Sequence, residues 1–185
     1  IRQGPVMSMN NIKHGDVILV SGPVGDHGIA VMLAREEFGL RGDIRSDAAS
    51  VLALTTAALD IDGLRFMRDP TRGGLATVCA ELLRSTGMGV RLLQEDIPVR
   101  DAVQSVCEML GYDPMYLACE GRVVAIVDAG CAEDLLSLWR ETEQGEDAAI
   151  IGSIDAGLNH VLIQTEIGGE RILEELEDDP LPRIC

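Results

Sequence analysis

A few residues have the type and position to do chemistry. The chain ends in Pro180-Leu-Pro-Arg-Ile-Cys185. Two prolines two residues apart prevent a regular helix and favour extended backbone. From Glu174 to the end is a reach of up to roughly 40 Å. A thiol on such an arm can act as a nucleophile or carry a covalent group, and the thiolate is the reactive form. Its own α-carboxylate and the acidic residues upstream disfavour the thiolate, while Arg183 favours it, so a receiving pocket is needed to activate it. The alternative is a frayed terminus that happens to end in cysteine.

Asp69-Pro-Thr-Arg-Gly-Gly74 is the second group. Paired glycines at a strand-to-helix turn let backbone approach a ligand closely, and the helix N-terminus behind them offers free N–H groups to an anion. Arg72 adds a planar fork suited to phosphate, and Asp69 could hold a metal or orient a donor. The competing reading is a tight turn that needs glycine. Ser21-Gly-Pro-Val-Gly-Asp-His-Gly28 is a second glycine-rich turn whose spacing does not match a dinucleotide fingerprint. His27 in it is a candidate for proton transfer, or a residue that closes the turn. Glu120, in Leu117-Ala-Cys-Glu-Gly-Arg122, is a candidate general base if partly desolvated, or an ordinary solvated glutamate. Cys79 and Cys107 fall on apolar stripes and read as inert core residues.

The elements that must position these groups alternate between strand and helix. Val17–Val20 and Val123–Val127 read as buried strands, and 65–69 as a short one. Helices are expected from the Gly28 turn to about Phe38, from Ser46 (with Ser46 or Asp47 as cap) to about Leu59, and along three apolar stripes. These are Leu75-Val78-Cys79-Leu82-Leu83, Val99-Val103-Val106-Cys107-Leu110, and Ala132-Leu135-Leu136-Trp139. Residues 149–154 and 160–164 look like a pair of strands around the turn Asp155-Ala-Gly-Leu-Asn159. The pattern predicts an α+β fold, a mixed sheet packed by helices. The acidic run from Glu170 to Asp179 reads as a solvated spacer.

Composition excludes several classes. The 185 residues carry 15 Lys+Arg against 31 Asp+Glu, a formal charge of −16, which opposes non-specific nucleic-acid binding. No apolar run approaches a membrane span, and no secretion signal opens the chain. The chain starts at Ile1 rather than Met, which fits a piece of something longer. The five cysteines form no CxxC pair and the three histidines are scattered, so no metal cluster is expected. An odd count of cysteines fits a reducing cytoplasm better than a disulfide framework. Lys13 is the only lysine, so no Walker A loop exists.

Taken together the segments resemble the HypE family of hydrogenase expression/formation proteins. The matching stretches are 15–22, Gly25-Asp-His-Gly28, Ser46-Asp-Ala-Ala49, Arg68-Asp-Pro-Thr-Arg-Gly-Gly74, Gly111-Tyr-Asp-Pro114, Glu120-Gly121 and Pro182-Arg-Ile-Cys185, in the family's order. The last is specific to the family. The Asp-x-Thr-x-Gly-Gly element is shared with aminoimidazole ribonucleotide synthetase and selenophosphate synthetase. The resemblance implies an α/β sandwich over residues 1–173, like the C-terminal domain of aminoimidazole ribonucleotide synthetase, and a flexible tail over 174–185. It implies that Cys185 receives a carbamoyl group from a HypF-like carbamoyltransferase. ATP-dependent dehydration then gives a thiocyanate, whose cyanide goes to the iron of a nickel–iron hydrogenase on a HypC–HypD complex. Catalytic roles then fall to Cys185, Glu120 and His27, and the phosphate end of the ATP site to Asp69, Thr71, Arg72, Gly73 and Gly74. The family's N-terminal domain, which supplies most ATP and Mg2+ ligands and much of a homodimer interface, has no match here. The implied fragment is inactive alone. The family usually has Asn where this chain has Cys119. The rival readings are another ATP-using enzyme of the same superfamily, and a docking domain whose tail binds a partner.

Overall fold

The computed structural model describes residues 6–35 and 44–175. Seven strands form one sheet: β1 (Val17–Val20), β2 (Leu64–Arg68), β3 (Gly89–Leu93), β4 (Val124–Val127), β5 (Ala149–Asp155), β6 (Val161–Gln164) and β7 (Glu170–Ile172). Their order across the sheet is β2-β4-β1-β5-β3-β6-β7. All pairs are antiparallel except β3 with β6, so the sheet is mixed, as the sequence predicts.

Both faces of the sheet are covered, because the buried central strands are apolar on both sides. Ile18 and Val20 of β1, with Val124 and Ile126 of β4, pack under α3 (Gly74–Thr86), which contributes Leu75, Val78, Cys79 and Leu82. Leu19, Ala125 and Val127 point the other way, onto α2 (Leu52–Ala58) and α5 (Ala132–Arg140). The side chains alternate because strand residues point to opposite faces in turn. Trp139 of α5 is fully buried, and its indole N–H donates to the Leu54 carbonyl at 2.9 Å, which satisfies its one polar atom. A third cluster joins α1 (Asp26–Ala34) to α4 (Asp101–Leu110) through Ile29, Met32, Val103, Val106, Cys107 and Leu117.

Several expectations need correction. The helix expected from Ser46 begins only at Leu52 and has no side-chain cap. Ser46 and Asp47 bond instead to residues distant in sequence, His27 and the Glu120 backbone. Asp47 serves as a tertiary acceptor, and Ser46 bridges His27 and the local Ala48 N–H, so neither caps the helix. The helix after Gly28 is described only to Ala34, and its expected end at Phe38 lies outside the described residues. Strands β5 and β6 do not pair with each other, because β3, which the sequence reading missed, lies between them. The connection at 155–160 crosses the start of β3, where Gly89 N–H donates to the Leu158 carbonyl at 2.9 Å. A side chain at Gly89 would collide with Leu158.

The acidic run is not a free spacer over its first part. Residues Glu170–Ile172 form β7, an edge strand. Glu170 pairs with Arg91 at 3.1 Å, Arg171 with Asp113 at 2.8 Å, and Glu175 with Arg84. Tyr116 donates its hydroxyl to the Glu174 carbonyl at 2.7 Å. Arg84 and Arg91 receive acidic residues of the segment, and its own Arg171 pairs with Asp113 of the body. The rest of the tail, from residue 176 to Cys185, lies outside the described residues.

Candidate active site

Two glycine-rich turns converge on the segment from Leu117 to Glu120. The turn from β1 into α1 is headed by Gly25, whose φ of +89° is a left-handed conformation that glycine adopts without strain. Its N–H points at Cys119 Sγ, 3.4 Å away, and Gly28 N–H donates to the Ala118 carbonyl at 3.2 Å. The turn from β2 into α3 approaches the same segment from the other side. Cys119 N–H donates to the Pro70 carbonyl at 3.2 Å, and Thr71 Oγ1 lies 3.3 Å from the Cys119 carbonyl oxygen.

Cys119 sits at the junction, fully buried, and burial pushes its thiol up to about 12. It is a structural thiol. Its sulfur accepts from Gly25 N–H and donates to the Leu117 carbonyl at 3.5 Å. It therefore supplies one acceptor and one donor, the functions an amide side chain would serve there. Burial likewise lifts Cys79 to about 12 and Cys107 to about 11, consistent with their reading as inert core residues.

The convergence brings together two residues singled out from the sequence. His27 Nε2 lies 3.9 Å from Glu120 Oε1. The histidine side chain is 17% exposed and the glutamate 41%, so the pair forms a lip that solvent or a ligand can reach. Glu120 thus lies at the surface with part of its side chain covered. Asp69 is held below the usual carboxylate range, chiefly by hydrogen bonding from Thr71, against its partial burial. Arg72 is exposed and makes no ion pair among the described residues.

The glycines of this second turn have a packing explanation. Gly73 and Gly74 have φ near +60°, and a side chain on Gly74 would come within 2.5 Å of the Met115 carbonyl oxygen. The start of α3 is pressed against the short 3-10 turn at Pro114–Tyr116. Cys185, the third expected catalytic residue, lies outside the described residues.

Below the lip lies a charge network that the sequence reading missed. Asp26, with its side chain 3% exposed, accepts from Arg100 Nε at 3.0 Å and lies 3.6 Å from Arg122. Arg122 also lies 3.5 Å from Asp47 Oδ2, and donates to the carbonyls of Pro23 at 3.0 Å and Gln144 at 3.1 Å. Desolvation raises the Asp26 carboxyl, and the arginines partly offset it. A cleft of about 530 Å3 opens beside the network, lined among others by Asp26, Asp47, Arg100 and Arg122. The sequence did hold a signal: Arg122 directly precedes a run of apolar strand residues, and an arginine there requires carboxylate partners.

Comparison with known proteins gives this architecture its relatives. Residues 13–164 match the family model described as AIR synthase related protein, C-terminal domain. The chain belongs to that family. The mixed seven-stranded sheet packed by helices fits that family. The chain is 43% identical over 181 residues to a curated protein named carbamoyl dehydratase HypE from Azotobacter vinelandii, a match covering 97% of this chain and 53% of that protein. Among solved structures, HypE in a HypE–HypF complex matches with a TM-score of 0.90 at 39% identity, over 95% of this chain and 58% of that one. HypE in complex with ATP matches with a TM-score of 0.85 at 37% identity, over 94% and 54%. The HypE resemblance carried by the sequence motifs is thereby borne out. The chain spans about half the length of the curated relatives it matches.

Proposed function

We propose that this chain is the C-terminal domain of a HypE-like carbamoyl dehydratase that makes the cyanide ligand of a nickel–iron hydrogenase in the cytoplasm. The observation that carries the reading is the His27–Glu120 lip, a carboxylate and an imidazole held 3.9 Å apart beside the Asp69–Gly74 turn. Cys185 is the carrier. A HypF-like carbamoyltransferase loads it as the thiocarbamate S–C(=O)–NH2, and a HypC–HypD complex receives the product.

An amide oxygen is a poor leaving group. Transfer of the ATP γ-phosphoryl to that oxygen, with loss of one N–H proton, makes phosphate the leaving group and releases ADP. Glu120 then takes the second N–H proton as the C–O bond breaks. Nitrogen gains its third bond to carbon, and S–C≡N and inorganic phosphate remain. His27 stabilises the Glu120 carboxylate and takes the proton onward. Asp69, Thr71, Arg72, Gly73 and Gly74 would form the phosphate end of the ATP site; the Arg72 fork, exposed and without an ion pair among the described residues, suits that role.

Among the described residues no group of three or more His, Cys, Asp or Glu is placed to hold a metal ion. Mg2+ is usually held by one or two carboxylates and the substrate's own phosphates, and in this reading it comes mainly from the N-terminal domain. No helix among the described residues is long and apolar enough to cross a membrane.

Mass spectrometry of the C-terminal peptide tests the proposal. With the remaining half of the protein, the carbamoyltransferase, carbamoyl phosphate and ATP, Cys185 should gain a carboxamide and then lose the mass of one water. Neither adduct forming would sink it. A docking tail, the rival, would keep its partner binding in Cys185→Ser, whereas a carrier loses all covalent loading.

A further inference from the structure

His27 and Glu120 come from different elements, and neither holds the other firmly at 3.9 Å. One dipeptide touches both. Ser46 Oγ lies 2.9 Å from His27 Nδ1, and is itself fixed by accepting the Ala48 N–H at 3.0 Å. The next residue, Asp47, accepts the backbone N–H of Glu120 on Oδ1 at 3.0 Å. Its side chain is fully buried, and its other oxygen lies 3.5 Å from Arg122 Nε. Arg122 in turn is anchored on two backbone carbonyls. Gly121 fits the same contact, since a side chain there would collide with the Asp47 carbonyl.

We infer that Ser46 and Asp47 are positioning residues for the His27–Glu120 pair: Ser46 sets the imidazole ring through Nδ1 and Asp47 sets the backbone of Glu120. The inference rests on the reading of Glu120 as proton acceptor. With Nδ1 occupied by Ser46, the ring can only present Nε2 to the carboxylate. With the Glu120 N–H tied to a buried carboxylate, the side chain leaves a fixed point on the lip. Displacing the 46–47 segment would undo both at once. The buried arginine network thereby acts on the lip through Asp47 and not by direct contact.

The test is single-turnover dehydration of preloaded Cys185 carboxamide in the full-length protein. Ser46→Ala and Asp47→Ala should each slow the reaction at saturating ATP by about 10–100-fold, since misplacing a reacting group by ~1 Å costs on that order. The ATP concentration giving half-maximal rate should not change. Ser46→Thr and Asp47→Asn keep a bonding oxygen and should recover most of the rate. The His27 Nδ1 resonance should move in Ser46→Ala and stay in place in Ser46→Thr. Ser46 is exposed, so its variants are expected to fold even if Asp47→Ala does not. Wild-type rate and an unmoved resonance in Ser46→Ala, with Glu120→Gln inactive, would overturn the inference alone. A wild-type rate in Glu120→Gln would overturn the proposed function and the inference with it.

Discussion

The two glycine-rich turns share a plan and differ in their electrostatics. Each leaves a sheet strand, enters a helix through a left-handed glycine without a side-chain cap, and bonds to the 117–120 segment. In the first, Asp26 is buried against Arg100 and Arg122, and desolvation raises its carboxyl. In the second, Asp69 is exposed and Thr71 lowers it, while Arg72 stands in solvent. The difference comes from what covers each turn. Helix α4 and the 44–50 segment close over the first; beside the second, Glu120 and Arg72 remain exposed. The first turn is therefore suited to holding the site together, and the second to meeting a ligand.

Several measurements could break that contrast. Asp26→Ala should have the largest effect on stability. It leaves Arg122 buried with a weakened set of partners and should cost about 3–5 kcal/mol in urea unfolding. Asp69→Ala should cost only about 0.5–1.5 kcal/mol, the worth of ordinary hydrogen bonds. Equal losses would erase the distinction. Next come the glycines. Gly74→Ala drives a methyl group into the Met115 and Leu117 carbonyls and should cost about 2–4 kcal/mol in the same assay. Gly25→Ala meets the tips of the Val103 and Leu117 side chains, which can yield, and should cost about 1–2 kcal/mol, mostly from its positive φ.

The acid response sharpens the comparison further. Asp26 is raised in the folded state, so its contribution to stability is present below its unfolded value near 3.8 and is lost as pH rises through the higher folded value. Asp69 is lowered, so its contribution is present above 3.8 and is lost as pH falls through the folded value below it. Unfolding measured against pH should therefore show Asp69→Asn reducing stability at neutral pH and losing that deficit in acid. Removing the carboxyl of Asp26 should take away a contribution of opposite slope. The smallest effect is expected for Arg72→Ala, within about 0.5 kcal/mol for an exposed side chain without an ion pair among the described residues. The same variant should weaken ATP binding in the full-length protein if the second turn meets the nucleotide.

Much of the fold was legible in the sequence, for identifiable reasons. Strands β1 and β4 are continuous apolar runs, and α3, α4 and α5 carry apolar stripes at helical spacing, so period alone exposed them. Strand β3 escaped because Gly89-Val-Arg-Leu-Leu93 is short, opens on glycine and is interrupted by Arg91, so it shows no continuous apolar run. Strand β7 escaped because Glu-Arg-Ile reads as part of an acidic run until Arg91 is beside it. Of the site, His27, Glu120 and the Asp69–Gly74 turn were visible as residue types in glycine-rich turns. Their partners Ser46 and Asp47, and the Arg100 and Arg122 that pair with Asp26 and Asp47 below them, were not, since each acts across the fold on residues far away in the chain.

The sequence by itself determined a mixed sheet packed by helices, the two glycine turns and the candidate residues for proton transfer. Local backbone preference and apolar period are properties of neighbours along the chain, and neighbours are what a sequence displays. Only the tertiary structure decided that the turns meet at Cys119, that Asp26 is buried and Asp69 is not, and that one dipeptide reaches both His27 and Glu120. Those outcomes depend on which segments come to lie against one another, and desolvation and hydrogen bonding across such contacts have no counterpart in local spacing.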